Sequence, residues 1–406
     1  MSWKEKSLGE IAHFQRGLTY SKKDEADTSN NIVLRATNLR LEDNSLDLSE
    51  LKFLKNTIEI DEKKKVKKDS LLICLSSGSK KHLGKVAFVD DNYDAYFGGF
   101  IGQITPKEGT DSRFLYYLLV SDFYKQYISN LSDSANINNL RMDDLKAFKV
   151  PYPPISEQKR IVAALDEAFV AIDKAKENTE QNLQNAKDLF ESYLQSVFEK
   201  KGDGWQENSL AEIADVEYGY TDKSTDEGDY RYVRITDIDK NGELILDNKK
   251  YINHSKEAER FLIQDRDLLM ARTGATFAKV LLFKGDEPSV FASYLIRIKF
   301  NESIVNALYW YFTKTRYYWE QANNLKSGAA QPHFNGAAVK KVVFIYPKSL
   351  SEQNKLIEKF EILSIKTKKL EAIYLKKLEE LEEFKKSILK EAVAGELITS
   401  KIEVSA

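Results

Sequence analysis

The chain has 406 residues, 42% hydrophobic and 31% charged, with 61 Lys plus Arg against 63 Asp plus Glu for a net charge of −2. That length calls for two or three domains, and the apolar content belongs to a folded protein and not a disordered one. The near-neutral balance carries no global nucleic-acid signal, although phosphate binding needs only a local basic face.

The single cysteine, Cys74 in the run Leu71-Leu72-Ile73-Cys74-Leu75, excludes an internal disulfide and a cysteine-built zinc site, and reads as a buried thiol. No apolar signal region opens the chain and no stretch approaches the roughly 20 apolar residues of a membrane span, so a cytoplasmic protein is expected.

In chain order the dominant feature is an internal repeat. Trp3 to Tyr20 and Trp205 to Asp222, offset by 202, agree at nine of eighteen positions, among them Ser7/Ser209, Leu8/Leu210, Glu10/Glu212, Ile11/Ile213 and Gly17/Gly219. Leu34 to Leu39 then matches Val233 to Ile238, Asp69 to Gly78 resembles Asp265 to Gly274, and Phe97 to Ile104 falls on Phe291 to Ile298. The offset drifts to 195, which places small deletions in loops. Tyr152-Pro153-Pro154-Ile155-Ser156-Glu157-Gln158 lies against Tyr346-Pro347-Lys348-Ser349-Leu350-Ser351-Glu352-Gln353. A helix is expected to start at each Ser-Glu-Gln, with Ser as N-cap and Glu in the first turn.

The second helix carries a heptad stripe, with Leu356, Phe360, Leu363, Leu370, Tyr374, Leu381, Phe384 and Ile388 on one face. The first repeats that register with smaller residues, marked by Ile161, Leu165, Ile172, Leu189 and Tyr193. Small facing large is how a helix pair interlocks. About 45 residues at 1.5 Å each make a rod of roughly 67 Å. A compact second segment has its ends close together, so the second helix must run back antiparallel.

The expected fold is α+β: two homologous α/β domains joined by two long antiparallel coiled-coil helices, with pseudo-twofold symmetry. The boundaries are 1–154, 155–201 for the first helix, 202–349, and 350–406 for the second helix and tail. Two related heads at a fixed separation suit a rigid linear partner read at two sites, and duplex DNA is the commonest such partner.

Over its whole length the chain resembles the specificity subunit of a Type I restriction-modification system. The resemblance rests on Trp3 through Gly17, Trp205 through Gly219, the two Ser-Glu-Gln helix starts and Ala394-Gly395-Glu396-Leu397. The one departure is Lys348, where a second proline is missing. The resemblance implies two target-recognition domains, each reading one half of a bipartite, asymmetric double-stranded DNA target across a spacer set by the helices. It also implies two modification subunits that bind S-adenosylmethionine and methylate adenine, and restriction subunits that use ATP and Mg2+. No cofactor is expected in this chain.

Phosphate contacts need Lys, Arg or small polar residues on loops, and base readout needs directed donors and acceptors. Four loops of the first half qualify: Arg16, Thr19, Lys22 and Lys23; Arg35, Asn38 and Arg40, with Asn38 the best candidate for a base edge; Ser77, Ser79, Lys80, Lys81 and Lys85; and Asn138 with Arg141. Their counterparts are Tyr218, Tyr220 and Lys223; Arg234, Asp237 and Lys240; Arg272, Thr273, Thr276 and Lys279; and Gln331, His333 and Asn335. The chemistry differs where the frame is shared, so the two heads are expected to read different half-sites.

Catalytic readings find little support. The chain lacks the Asn/Asp-Pro-Pro-aromatic element of an adenine methyltransferase and a Walker loop, and four scattered histidines do not make a zinc hydrolase. Phe97-Gly98-Gly99-Phe100-Ile101-Gly102 sits in an apolar, strand-like run, where a lone glycine cluster is weak evidence for a cofactor loop. The alternative to DNA recognition is a coiled-coil adaptor whose heads bind protein.

Overall fold

The computed structural model describes residues 3–135, 139–328 and 332–397. The chain divides into two compact units. One comprises 1–179 with 376–406, the other 180–375. The cut falls within both long helices, Ile155–Glu199 and Leu350–Ala394, so each unit holds one globular head and about half of each helix. Among the described residues no helix is long and apolar enough to cross a membrane.

In the first unit, an antiparallel sheet has the order Ala12–Arg16, Ile101–Pro106, Leu71–Cys74, Val86–Phe88. A second sheet joins Glu25–Ala26, Lys52–Leu54, Asn31–Leu34 and, in parallel, Tyr96–Phe97. The second unit repeats the plan. Ala214–Tyr218, Leu295–Phe300, Leu268–Ala271 and Val280–Leu282 form its four-stranded sheet, and Tyr230–Val233 pairs in parallel with Ser289–Phe291. In both heads the first strand closes on the last, Lys4–Ser7 on Lys149–Tyr152 and Trp205–Ser209 on Val343–Pro347.

The identities of the repeat have local physical causes. Ser7 and Ser209 each cap a one-turn helix, and the Glu three residues on accepts the Ser backbone N–H at 2.6 and 2.7 Å, a reciprocal arrangement that stabilises a helix start by about 1 kcal/mol. Leu8, Ile11, Leu210 and Ile213 of those turns are buried. Gly17 and Gly219 are required by close backbone approach: a Cβ would lie 2.1 Å from the Gly98 carbonyl oxygen in one head and 2.3 Å from that of Ala292 in the other.

The long helices start two residues earlier than Ser as the N-cap expects. Ile155 and Leu350 are the first helical residues, and the amides of Glu157 and Gln158 both donate to Pro154 O, while that of Gln353 donates to Ser349 O. Ser156 and Ser351 therefore lie inside the first turn and are not N-caps. The residue that matters is the glutamine, which is fully buried in both repeats. Gln158 accepts the Asp111 N–H at 2.8 Å and donates to Pro153 O at 2.9 Å; Gln353 accepts the Val305 N–H at 2.9 Å and donates to Ser303 O at 2.8 Å and Pro347 O at 2.9 Å. Asp111 and Val305 are themselves N-cap residues, so each glutamine ties a helix of its head to the long helix.

Within the first unit the long helices run antiparallel. Asp173 pairs with Lys385 at 2.8 Å and Lys176 with Glu382, so three residues forward on one is three back on the other. Ile161, Leu165 and Ile172 are buried there together with Ile388, Ala392 and Val393. In the second unit Phe360 packs on Tyr193 and Phe198, and Leu356 lies against the same core. Leu363, Tyr374 and Leu381 are half-buried.

Three stripe positions are corrected. Leu189 is 50% exposed, and Leu370 and Phe384 are exposed as well. Beyond Thr179 the buried face of the first helix runs through Leu183, Ala186, Leu194 and Phe198, with Phe190 half-buried. An eleven-residue step from Leu183 to Leu194 fits a straight 3.6-residue helix better than a 3.5-residue heptad. The helix here packs on the second head as well as on the other helix, so nothing holds it to the heptad seam.

Gly395 ends the second helix in the left-handed conformation, φ +77°, with the Glu396 N–H donating to Glu391 O at 2.9 Å. The Trp3 ring lies 3.0 Å from where a Cβ on Gly395 would stand. Phe198 and Gly202 meet Trp205 in the same way at the end of the first helix. Each head thus begins against the end of a long helix.

Candidate DNA-recognition loops

In each head the loops singled out from the sequence converge on a fifth segment, the turn between the parallel-paired strand and the longest strand of the main sheet. In the first head Leu18 N donates to Phe97 O at 2.8 Å, Gly98 N to Leu34 O at 2.8 Å, Leu75 N to Phe100 O at 2.9 Å, and Leu140 N to Leu75 O at 2.7 Å. The 17–20, 35–40, 75–79 and 139–141 segments are thereby joined around 98–100. The second head repeats the pattern bond for bond: Tyr220 N to Phe291 O at 2.9 Å, Ala292 N to Val233 O at 2.9 Å, Arg272 N to Tyr294 O at 3.1 Å, and Phe334 N to Arg272 O at 2.7 Å.

On the first head Arg16, Thr19, Lys22, Lys23, Arg40, Ser79, Lys80, Lys81 and Arg141 are exposed, and Ser77 is half-buried. Lys85 is half-buried and donates to Leu39 O at 2.5 Å; burial lowers its pKa, and its role is to hold two loops together. Asn38 is corrected outright. It is 2% exposed, its Oδ1 accepts the Arg35 N–H at 2.8 Å, and its Nδ2 donates to Asp47 O and Glu50 O, both at 2.8 Å. No edge of that amide is left for a base. Asn138 and Gln331 lie outside the described residues.

On the second head Tyr218, Lys223, Lys240, His333 and Asn335 are exposed, while Tyr220, Arg234, Arg272, Thr276 and Lys279 are half-buried. Asp237 is corrected as Asn38 is: at 3% exposure it accepts the Arg234 backbone N–H at 2.9 Å and pairs with the guanidinium at 2.7 Å. Thr273 is buried too, in a bridge to His333. Asn335 caps a short helix by accepting the Ala338 N–H at 3.0 Å. Lys240 and Lys279 line a cavity of about 460 Å³ shared with Lys187, Trp310, Lys314 and Lys368, so they face the long helices of their unit. Arg272 lies over the Tyr218 ring at 4.9 Å, and Tyr220 stacks on Phe261.

The shared frame carries different charges. Asp237 neutralises Arg234, whereas Asn38 in the matching place is uncharged and the Arg35 Nε is buried without a hydrogen-bond partner. Two residues at the centre of the loops were missed from the sequence, Phe100 and Tyr294, which are 68% and 58% exposed. The signal was present, since both fall at the same place in the repeated Phe97 to Ile104 and Phe291 to Ile298 segments, but an apolar run reads as a buried strand.

A family model, the Type I restriction modification DNA specificity domain, matches residues 1–184 and again 202–383. The chain belongs to this family. It is 25% identical over 419 residues to the Type I restriction enzyme StySPI specificity subunit of Salmonella potsdam, covering 97% of this chain and 89% of that protein. To the EcoKI specificity subunit of Escherichia coli K12 it is 26% identical over 405 residues, covering 94% and 86%. The fold is shared with a chain solved in work on complex assembly and conformational transition of the type I R-M system, at TM-score 0.75, 15% identity and 98% of both chains. It is shared also with the HsdS subunit from Thermoanaerobacter tengcongensis, at TM-score 0.65, 16% identity and 98% and 97% of the two chains. The two stretches matched by the family model follow the internal repeat, so this specificity subunit carries the recognition unit twice. Among its described residues no group of three or more His, Cys, Asp or Glu side chains could hold a metal ion.

Proposed function

We propose that this specificity subunit selects the DNA target of a Type I complex, each head reading one half of a bipartite, asymmetric site. The observation that carries the reading is the doubled loop cluster, one backbone frame bearing different side chains. Exposed cations such as Arg16, Lys81 and Arg141 in one head and Lys223 in the other supply phosphate contacts, and neighbouring polar side chains select bases. The helix pair sets the unread spacer and docks two modification subunits. S-adenosylmethionine belongs to those subunits, and ATP and Mg2+ to restriction subunits where they join. This chain orients the complex and carries out no chemical step.

The test is an exchange of residues 1–154 for those of another family member, followed by long-read mapping of methylated adenines. One half of the motif changes and the other is kept. A change in both halves refutes one head per half-site. Four residues inserted at matching places in both long helices, roughly 6 Å, lengthen the spacer alone, and an unchanged spacer refutes the ruler. DNA affinity of the assembled complex falls as salt rises; binding without salt dependence points to a protein-binding adaptor instead.

A further inference from the structure

We propose that Phe100 and Tyr294 are base-contacting side chains, one for each half-site, and that the phenol hydroxyl present only on Tyr294 contributes to the difference between the two targets. This rests on the reading of the heads as DNA-recognition modules and names residues within it. Both side chains stand third in a four-residue turn closed by a backbone hydrogen bond, Ile101 N to Gly98 O at 3.0 Å and Leu295 N to Ala292 O at 2.8 Å. The flanking residues, Phe97 and Ile101 in one head and Phe291 and Leu295 in the other, are fully buried. The turns are therefore anchored on both sides, and the aromatic is the one exposed side chain of that stretch.

An exposed aromatic forgoes about 1.5–3 kcal/mol that burial would contribute, and single exposed apolar residues are ordinary. The same exposure at the same step of both repeats, at the hub of loops chosen for polar and basic character, is not. The surroundings are polar. Thr19 Oγ1 lies 3.5 Å from the Cβ position of Gly99, and Arg16 pairs with Gly102 at the edge of the first turn. In the second head Arg272 reaches the Ser293 carbonyl at 3.3 Å. A threonine hydroxyl beside the first turn and a guanidinium beside the second give each apolar plate a polar edge, which suits a base pair flanked by phosphates. Phenylalanine offers apolar contact to a thymine methyl, and tyrosine adds a hydrogen-bonding group. Rigid backbone anchoring keeps the ordering cost of that contact low.

The variants F100A, Y294A and Y294F are assembled with the modification subunits, assembly is followed by mass photometry, and methylation is mapped on a randomised plasmid library. Both alanine variants assemble normally. F100A lowers methylation about 10-fold and relaxes preference at adjacent positions of one half-site only, the size expected for one lost base contact. Y294A does so in the other half-site, and Y294F keeps the rate while altering preference there. If the unsubstituted complex methylates a bipartite motif and the alanine variants match it in rate and motif, this assignment is refuted while the general reading stands. If they weaken assembly, and raising the modification subunits restores methylation at the unchanged motif, the two aromatics bind a protein partner and the assignment is refuted. A wild-type complex without any preferred motif defeats the general reading instead.

Discussion

Replacing Gln353 by Leu probes the joint between head and long helix. The side chain is fully buried and makes three hydrogen bonds of 2.8–2.9 Å, so its removal strands the Val305 N–H and deprives the Ser303 and Pro347 carbonyls of a donor. A buried group left unpaired costs about 1–3 kcal/mol. Counting the amide at about 2 kcal/mol and each carbonyl at about 1 kcal/mol gives about 4 kcal/mol, of which a well-packed leucine returns about 1 kcal/mol. The expected loss of about 3 kcal/mol is roughly a hundredfold in the folded ratio. Urea denaturation of the full chain measures it, and amide exchange quickens around Val305, at the start of the Asn306–Phe312 helix. Gln353→Glu keeps the acceptor but aims a carboxylate at two carbonyl oxygens, so its defect is larger at pH 7 and shrinks as pH falls and the acid becomes a donor. A Gln353→Leu change within 0.5 kcal/mol of wild type would refute the account of this joint.

Other substitutions test separate parts of the structure. Gly17→Ala places a methyl 2.1 Å from the Gly98 carbonyl oxygen and costs about 2 kcal/mol or more, measured by thermal or urea unfolding; Gly78→Ala, with open space around it, is the neutral control. Burial pulls the Lys314 ammonium down to about 8, well below its unfolded value. Between pH 8 and 10 the unfolded chain holds the extra proton, so stability of the second unit rises with pH as the burial penalty is lifted, and Lys314→Met flattens that rise in a pH series of urea midpoints. Cys74 is fully buried with its thiol pKa raised by burial. It reacts with a disulfide reagent only at the rate of unfolding, and fast labelling of the native chain would contradict its placement.

Much of this protein was legible from residue order. The duplication, the two long helices and the loops that carry cations and turn formers are local patterns, written by Ser7/Glu10 and Ser209/Glu212 caps, by apolar periodicity and by prolines at the helix starts. Side-chain direction was not legible. Asn38 and Asp237 have the composition of readers, yet both point inward because a turn beside them leaves backbone groups to satisfy. Leu189 and Phe384 fit a heptad but fall outside the buried face, because a helix that packs on a head as well as on the other helix follows that head's surface.

Sequence by itself determined that there are two related heads, that each precedes a long amphipathic helix, and that the frame is shared while its polar decoration is not. Tertiary structure alone decided that the glutamine, not the serine, secures each helix start, that Trp3 closes against Gly395 nearly four hundred residues away, and that the apolar segments around Phe100 and Tyr294 turn one aromatic outward at the centre of the loops. The division has one physical reason. Caps, periodicity and backbone strain act between near neighbours and leave their mark on residue order, whereas burial depends on which distant segments arrive alongside, and no local pattern records that.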